Sequence, residues 1–88
     1  MALGLAFTDG GRDDYLWYQT ESRALLKRVN DLIKSARRTP YEGIGQPEEL
    51  RYEEPGTWSR RVTQQHRLVY RVHEGNLVII QARFHYDD

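Results

Sequence analysis

Eleven of the thirteen basic residues in this 88-residue chain are arginine, the side chain whose planar fork takes phosphate or carboxylate oxygens two at a time. Three of them, Arg61, Arg67 and Arg83, share the C-terminal third with His85, whose imidazole titrates near neutrality. Glu48 and Glu49 stand upstream in an acidic stretch. Metal-free cleavage of an RNA chain needs groups of these kinds: a base for the 2′-hydroxyl proton, cations for the crowded phosphorane, and an acid for the leaving 5′-oxygen. Glu48 or Glu49 is a candidate base, Arg61, Arg67 and Arg83 are candidate cations, and His85 is a candidate acid. Each also has a plain structural explanation. Glu48 is one of five glutamates in a loop, Arg67 has the neighbours of a structural ion pair, and His85 lies close to a chain end, where fraying is common.

Other chemistries find fewer residues. His66, His73 and His85 show no metal-ligand spacing. A phosphate-binding glycine loop is missing, because Gly43-Ile44-Gly45 follows a helical pattern, not a strand. Ser59 has no histidine and buried aspartate arranged for a triad, and the absence of cysteine removes thiolate chemistry. No cofactor is expected.

The elements that must position these residues follow from periodicity. Leu3, Leu5 and Phe7 alternate with small residues, which predicts a short strand. Thr8 is placed to cap a helix running through Asp13, Tyr15, Leu16 and Tyr18 to about Glu21, although Gly10-Gly11 weakens its first turn. From Ser22 to Arg38, Leu25, Leu26, Val29, Leu32, Ile33 and Ala36 recur at helical spacing, and Pro40 ends that helix. Between Thr39 and Thr57 all three prolines and three of the seven glycines predict a loop, with a brief strand near Leu50-Arg51-Tyr52.

Period-two alternation then predicts an antiparallel meander over Trp58 to Thr63, Arg67 to Val72 and Asn76 to Tyr86, with a turn at His73-Glu74-Gly75-Asn76. Sorting by parity puts Trp58, Val62, Leu68, Tyr70, Val72, Val78, Ile80, Ala82 and Phe84 on a core face. Ser59, Arg61, Thr63, Arg67, Arg71, Gln81, Arg83 and His85 fall on the other. The expected fold is α+β, a single domain over residues 1–88, with two N-terminal helices packed on one face of a twisted antiparallel sheet and a basic face opposite.

A length of 88 residues leaves room for one small core, built from a chain that is 39% apolar, 30% charged and rich in tyrosine. The lack of cysteine suits a reducing cytosol. No apolar run approaches the roughly 18 residues that cross a bilayer, and Met1 to Phe7 does not read as an export signal; a cytoplasmic protein without membrane contact is expected. The zero net charge conceals segregation: residues 22–41 carry +5 and 57–73 carry +4, while 1–21, 42–56 and 74–88 carry −3, −4 and −2. Solvated faces or phosphate-binding faces both fit such blocks.

The motifs Asp13-Asp14-Tyr15-Leu16, Arg37-Arg38-Thr39-Pro40-Tyr41-Glu42-Gly43, Pro47-Glu48, Trp58-Ser59-Arg60-Arg61, His66-Arg67-Leu68-Val69-Tyr70 and Arg83-Phe84-His85-Tyr86 resemble, in that order, those of the Txe/YoeB family of bacterial toxins within the RelE/ParE superfamily. The resemblance covers nearly the whole chain. It implies a microbial-ribonuclease-like fold and the toxin of a type II toxin-antitoxin pair, which enters the A site of the 30S ribosomal subunit and cleaves the mRNA there without metal. By position it makes Glu48 the general base, Arg67 the transition-state cation, His85 the general acid and Tyr86 a residue that positions the nucleotide. Arg51 and Arg61 match basic places around the reacting phosphate. A homodimer and a cognate antitoxin, whose disordered segment folds over the site, are also implied. The chain departs from the family in Phe7, where Trp is frequent, in Arg51, where Lys is common, and in Asp87-Asp88 beyond the terminal tyrosine.

Two other classes of function use the same residues differently. A ParE-like inhibitor of DNA gyrase needs no acid-base pair, and Glu48 together with His85 argues against it. An inactive RNA- or protein-binding subunit would keep the basic face without chemistry.

Overall fold

The computed structural model describes residues 2–84. Strand β1 (Gly4–Phe7) is followed by helices α1 (Asp9–Glu21) and α2 (Arg23–Arg38), then by strands β2 (Glu48–Glu49), β3 (Trp58–Arg61), β4 (Arg67–His73) and β5 (Asn76–Gln81). The strands form one sheet in the order β1-β5-β4-β3-β2. The α+β class and the paired N-terminal helices are as expected, but the sheet is mixed and not wholly antiparallel: β1 runs parallel to β5. A parallel neighbour needs a long crossover, and α1 and α2 stand in the chain between β1 and the meander.

Both helix starts follow side-chain capping. Thr8 Oγ1 accepts from the Gly11 amide at 3.1 Å, and Ser22 Oγ accepts from the Leu25 amide at 3.2 Å. The weak Gly10-Gly11 turn has a packing cause. A Cβ on Gly11 would lie 2.1 Å from the Ile79 carbonyl oxygen, so α1 reaches β5 only because that position is bare. Gly11→Ala is therefore expected to destabilise the fold by about 1–3 kcal/mol, although alanine is the better helix former. Urea unfolding checks the sign.

Helix α2 buries Val29, Leu32, Ile33 and Ala36, which with Tyr18 of α1 pack against Leu68, Tyr70, Leu77 and Ile79 of the sheet. The last two correct the parity expectation, which placed Val78 and Ile80 in the core. The β4–β5 turn has Glu74 and Gly75 at φ 49° and 79°, and it pairs His73 with Asn76 and Val72 with Leu77. Opposed residues share a face, so even positions of β4 meet odd positions of β5. A register shift at Val69/Tyr70 then skips Ile80, pairs Val69 with Gln81 and returns Ala82 to the core.

The predicted brief strand also moves. Its residues are Glu48–Glu49, not Leu50-Arg51-Tyr52, and Glu48 pairs with Ser59 of β3. Among the described residues no helix is long and apolar enough to cross a membrane.

Candidate active site

On β4, Arg67 points away from the helices, since Leu68 and Tyr70 occupy the core side. Its Nη1 lies 3.0 Å from Glu48 Oε1 and donates to Ser59 Oγ at 3.0 Å. Three strands thus converge: β2 supplies the carboxylate, β3 the hydroxyl that orients the guanidinium, and β4 the guanidinium. Arg61 is the direct cross-strand partner of Arg67 and is exposed. Two like charges opposite one another cost stability in an antiparallel pair, so this pairing is intelligible as a convergence of positive charge for an anionic ligand. The Glu48 side chain is 58% exposed and that of Arg67 is 17% exposed, so a solute reaches the carboxylate while the guanidinium is held by its surroundings.

The loop that delivers Glu48 is fastened by Arg60, which is fully buried. A guanidinium has five N–H donors, and all five are used. Nε donates to Tyr70 Oη at 2.9 Å, Nη1 to Ser35 Oγ at 2.8 Å and the Ile44 carbonyl at 3.1 Å, and Nη2 to the carbonyls of Thr39 and Glu42 at 2.7 and 2.8 Å. Tyr70 Oη in turn donates to the Pro40 carbonyl at 2.7 Å. Burial raises the Tyr70 pKa, opposed by the hydrogen bond and charge of Arg60, which keeps that hydroxyl a donor. The neighbouring Arg61 amide donates to the Gly45 carbonyl at 2.7 Å. Residues 39–45 are thereby anchored to β3, and β2 follows at a fixed distance.

The remaining sequence candidates fall in three places. Arg51 is exposed in the turn after β2, around a cavity it shares with Glu49 and Glu53. Arg83 departs from the alternation, because the chain leaves the β-ladder after Gln81. Its guanidinium stacks over Trp17 of α1 at 4.0 Å and over Phe84 at 4.8 Å, not beside Arg67. His85, Tyr86 and the Asp87-Asp88 tail lie outside the described residues.

The segment that precedes His85 in the chain is tied to α1. Asp14 Oδ2 accepts from the amides of Ala82 and Arg83 at 2.9 and 3.2 Å, and Tyr18 Oη donates to the Ala82 carbonyl at 2.7 Å. Burial, with help from the Asp14 charge and against that of Arg83, pushes the Tyr18 pKa up to about 12, so this hydroxyl stays protonated and donating. Asp14, Ser59, Arg60 and His66 were not among the sequence candidates. Arg60 carried a signal, since its parity between Trp58 and Val62 puts a charge on the core face. The other three act through contacts that spacing does not encode.

A sequence model for the YoeB-like toxin of bacterial type II toxin-antitoxin systems matches residues 7–86. Toxin YoeB of Synechocystis is 50% identical over 84 residues, covering 96% of this chain and 98% of that protein. The solved YoeB/ParE toxin from Agrobacterium tumefaciens is 43% identical and superposes with a TM-score of 0.89 over 96% of this chain and 100% of that one. YoeB of Staphylococcus aureus, 36% identical over 98% of this chain and 100% of that one, is solved as a dimer with a TM-score of 0.89 and in a YoeB-YefM complex with a TM-score of 0.85.

Proposed function

This chain belongs to the family of YoeB-like toxins of bacterial type II toxin-antitoxin systems, and from that premise we propose that it is a ribosome-dependent endoribonuclease that cleaves mRNA in the A site by metal-free acid-base chemistry. The observation that supports this reading is the Glu48–Arg67 pair at 3.0 Å with Arg61 directly opposite Arg67. A carboxylate and two cations converging on an exposed sheet face match the needs of a 2′-hydroxyl attacking its own phosphate.

In that reaction Glu48 takes the 2′-hydroxyl proton, and the 2′-oxygen forms a bond to the adjacent phosphorus. Arg67 and Arg61 hold the non-bridging oxygens as charge accumulates, the first kept in place by Ser59. The bond from phosphorus to the 5′-oxygen then breaks, and His85 donates the proton that the leaving oxygen requires. The products are a 2′,3′-cyclic phosphate and a free 5′-hydroxyl. Tyr86 positions the nucleotide, and Arg51 adds positive charge at the rim. The exposed Arg23, Lys27 and Lys34 of α2 supply phosphate contacts to ribosomal RNA, whose strength falls with salt, whereas Arg28 and Arg37 donate to the carbonyls of Arg61 and Leu3.

The chain works as a homodimer and is restrained by a cognate antitoxin, a reading supported by the Staphylococcus aureus YoeB dimer and YoeB-YefM complex. Single-turnover cleavage of an mRNA positioned on purified ribosomes tests the reaction. The wild type is expected to cut in the A site, and Glu48→Gln and His85→Ala are each expected to slow cleavage by about 10²- to 10⁴-fold. Ribosome binding with no cleavage by the wild type would instead favour an inactive binding subunit or an inhibitor of another target.

A further inference from the structure

His66 stands immediately before Arg67, turned to the opposite side of β4, and it is nearly buried. Its Nδ1 accepts the amide of Phe84 at 2.8 Å, and the Arg67 amide donates to the Phe84 carbonyl at 3.2 Å. Two consecutive residues thus grip both backbone groups of the residue through which the chain enters His85. Phe84 needs such a grip, because it sits at φ 63°, a left-handed conformation that a bulky aromatic residue adopts only when its surroundings impose it.

The imidazole is itself held. Its ring meets Trp17, Tyr18 and Phe84 edge-on at centroid distances of 5.9, 6.0 and 5.5 Å, and its backbone carbonyl accepts from the amides of Val62 and Thr63 at 2.9 and 3.1 Å. Since a backbone amide can only donate, Nδ1 must be the unprotonated nitrogen. This ring is therefore a fixed acceptor in a shaped pocket.

We infer that His66 is a positioning residue for the reaction, whose Nδ1 sets the backbone of Phe84, the residue that precedes the general acid His85 in the chain. The inference rests on the reading of His85 as that acid. It gives His66 and Arg67 complementary roles, in which Arg67 holds the phosphate and His66 holds the backbone of the residue before the proton donor. General acid catalysis tolerates little misplacement, so loosening this contact lowers the rate of the chemical step and leaves binding to the ribosome intact.

The experiment compares His66→Asn with His66→Gln in single-turnover cleavage on ribosomes, read as maximal rate and half-saturating toxin concentration, with thermal unfolding alongside. Asparagine places an acceptor oxygen where Nδ1 stands, whereas glutamine moves it to the position of Nε2. His66→Asn is expected to keep its rate within about threefold of the wild type. His66→Gln is expected to lose about tenfold or more in maximal rate at an unchanged half-saturating concentration. Added to His85→Ala, His66→Gln should cost nothing further, because the group it positions is already gone.

Equal rates for the two variants, an equal loss of rate or folding in both, or an undiminished effect in the His85→Ala background would each overturn the inference while leaving the cleavage reaction in place. A wild type that does not cleave would remove the reading of His85, and this inference with it.

Discussion

Arg67→Ala is expected to reduce mRNA cleavage on the ribosome by a hundredfold or more while the variant remains folded. The activity loss follows from its proposed role: a guanidinium aimed where charge accumulates contributes most in the transition state, and removal of one such donor costs about 10²–10³ in rate. The survival of the fold follows from its partners. Glu48 is largely exposed, and ion pairs at such sites contribute only about 0–1 kcal/mol. Ser59 Oγ, which is buried, loses its donor as well, at about 1–3 kcal/mol or less where water replaces it, which leaves a folded protein. Arg67→Lys should recover part of the rate, since it restores charge without the planar fork. If Arg67→Ala instead unfolded the protein, the residue would be a structural ion pair, and the cation would have to be Arg61.

Arg60→Met is expected to show the reverse order of effects, lowering the free energy of unfolding by about 3 kcal/mol or more. Methionine fills much of the volume but leaves Ser35 Oγ, Tyr70 Oη and the carbonyls of Thr39, Glu42 and Ile44 without their donor. Each buried polar group left unpaired costs about 1–3 kcal/mol, reduced where water can enter. A domain of this size has only about 5–15 kcal/mol in total, so the shift in a urea unfolding midpoint should be large. Arg60→Lys, with three donors in place of five, should fall between the wild type and Arg60→Met. A change below about 1 kcal/mol for Arg60→Met would show that residues 39–45 are held by other means. Activity should fall as well, because those residues deliver Glu48.

The two predictions separate residues that stand near each other in sequence and share a side-chain type. Arg60 and Arg61 are adjacent, yet one is sealed beneath a loop and the other faces solvent across from Arg67. The alternation of a strand makes this division, and the loop that closes over Arg60 makes it consequential.

The two helices, the three meander strands and the shared face of Arg61 and Arg67 were legible in the sequence. Helical spacing from Leu25 to Ala36 specified α2 and its buried stripe, Thr8 specified the cap of α1, and alternation put Arg61 and Arg67 on one face. Those are local properties, repeating every two or 3.6 residues, and they need no knowledge of what packs against them. Tertiary structure decided the rest. Pairing partners are not encoded in one strand's period, so the parallel placement of β1 beside β5 and the swap of Leu77 and Ile79 into the core depended on register. The bulge at Ile80 reset the parity that a uniform count carries through. Glu48 met Arg67 only because a two-residue strand paired with Ser59, after a loop tied down by a buried arginine. His66 gained its contact with Phe84 because a chain that had left the ladder took a left-handed turn beside it. Contacts between segments far apart in sequence depend on where the whole chain closes, and a period along one strand carries no information about that.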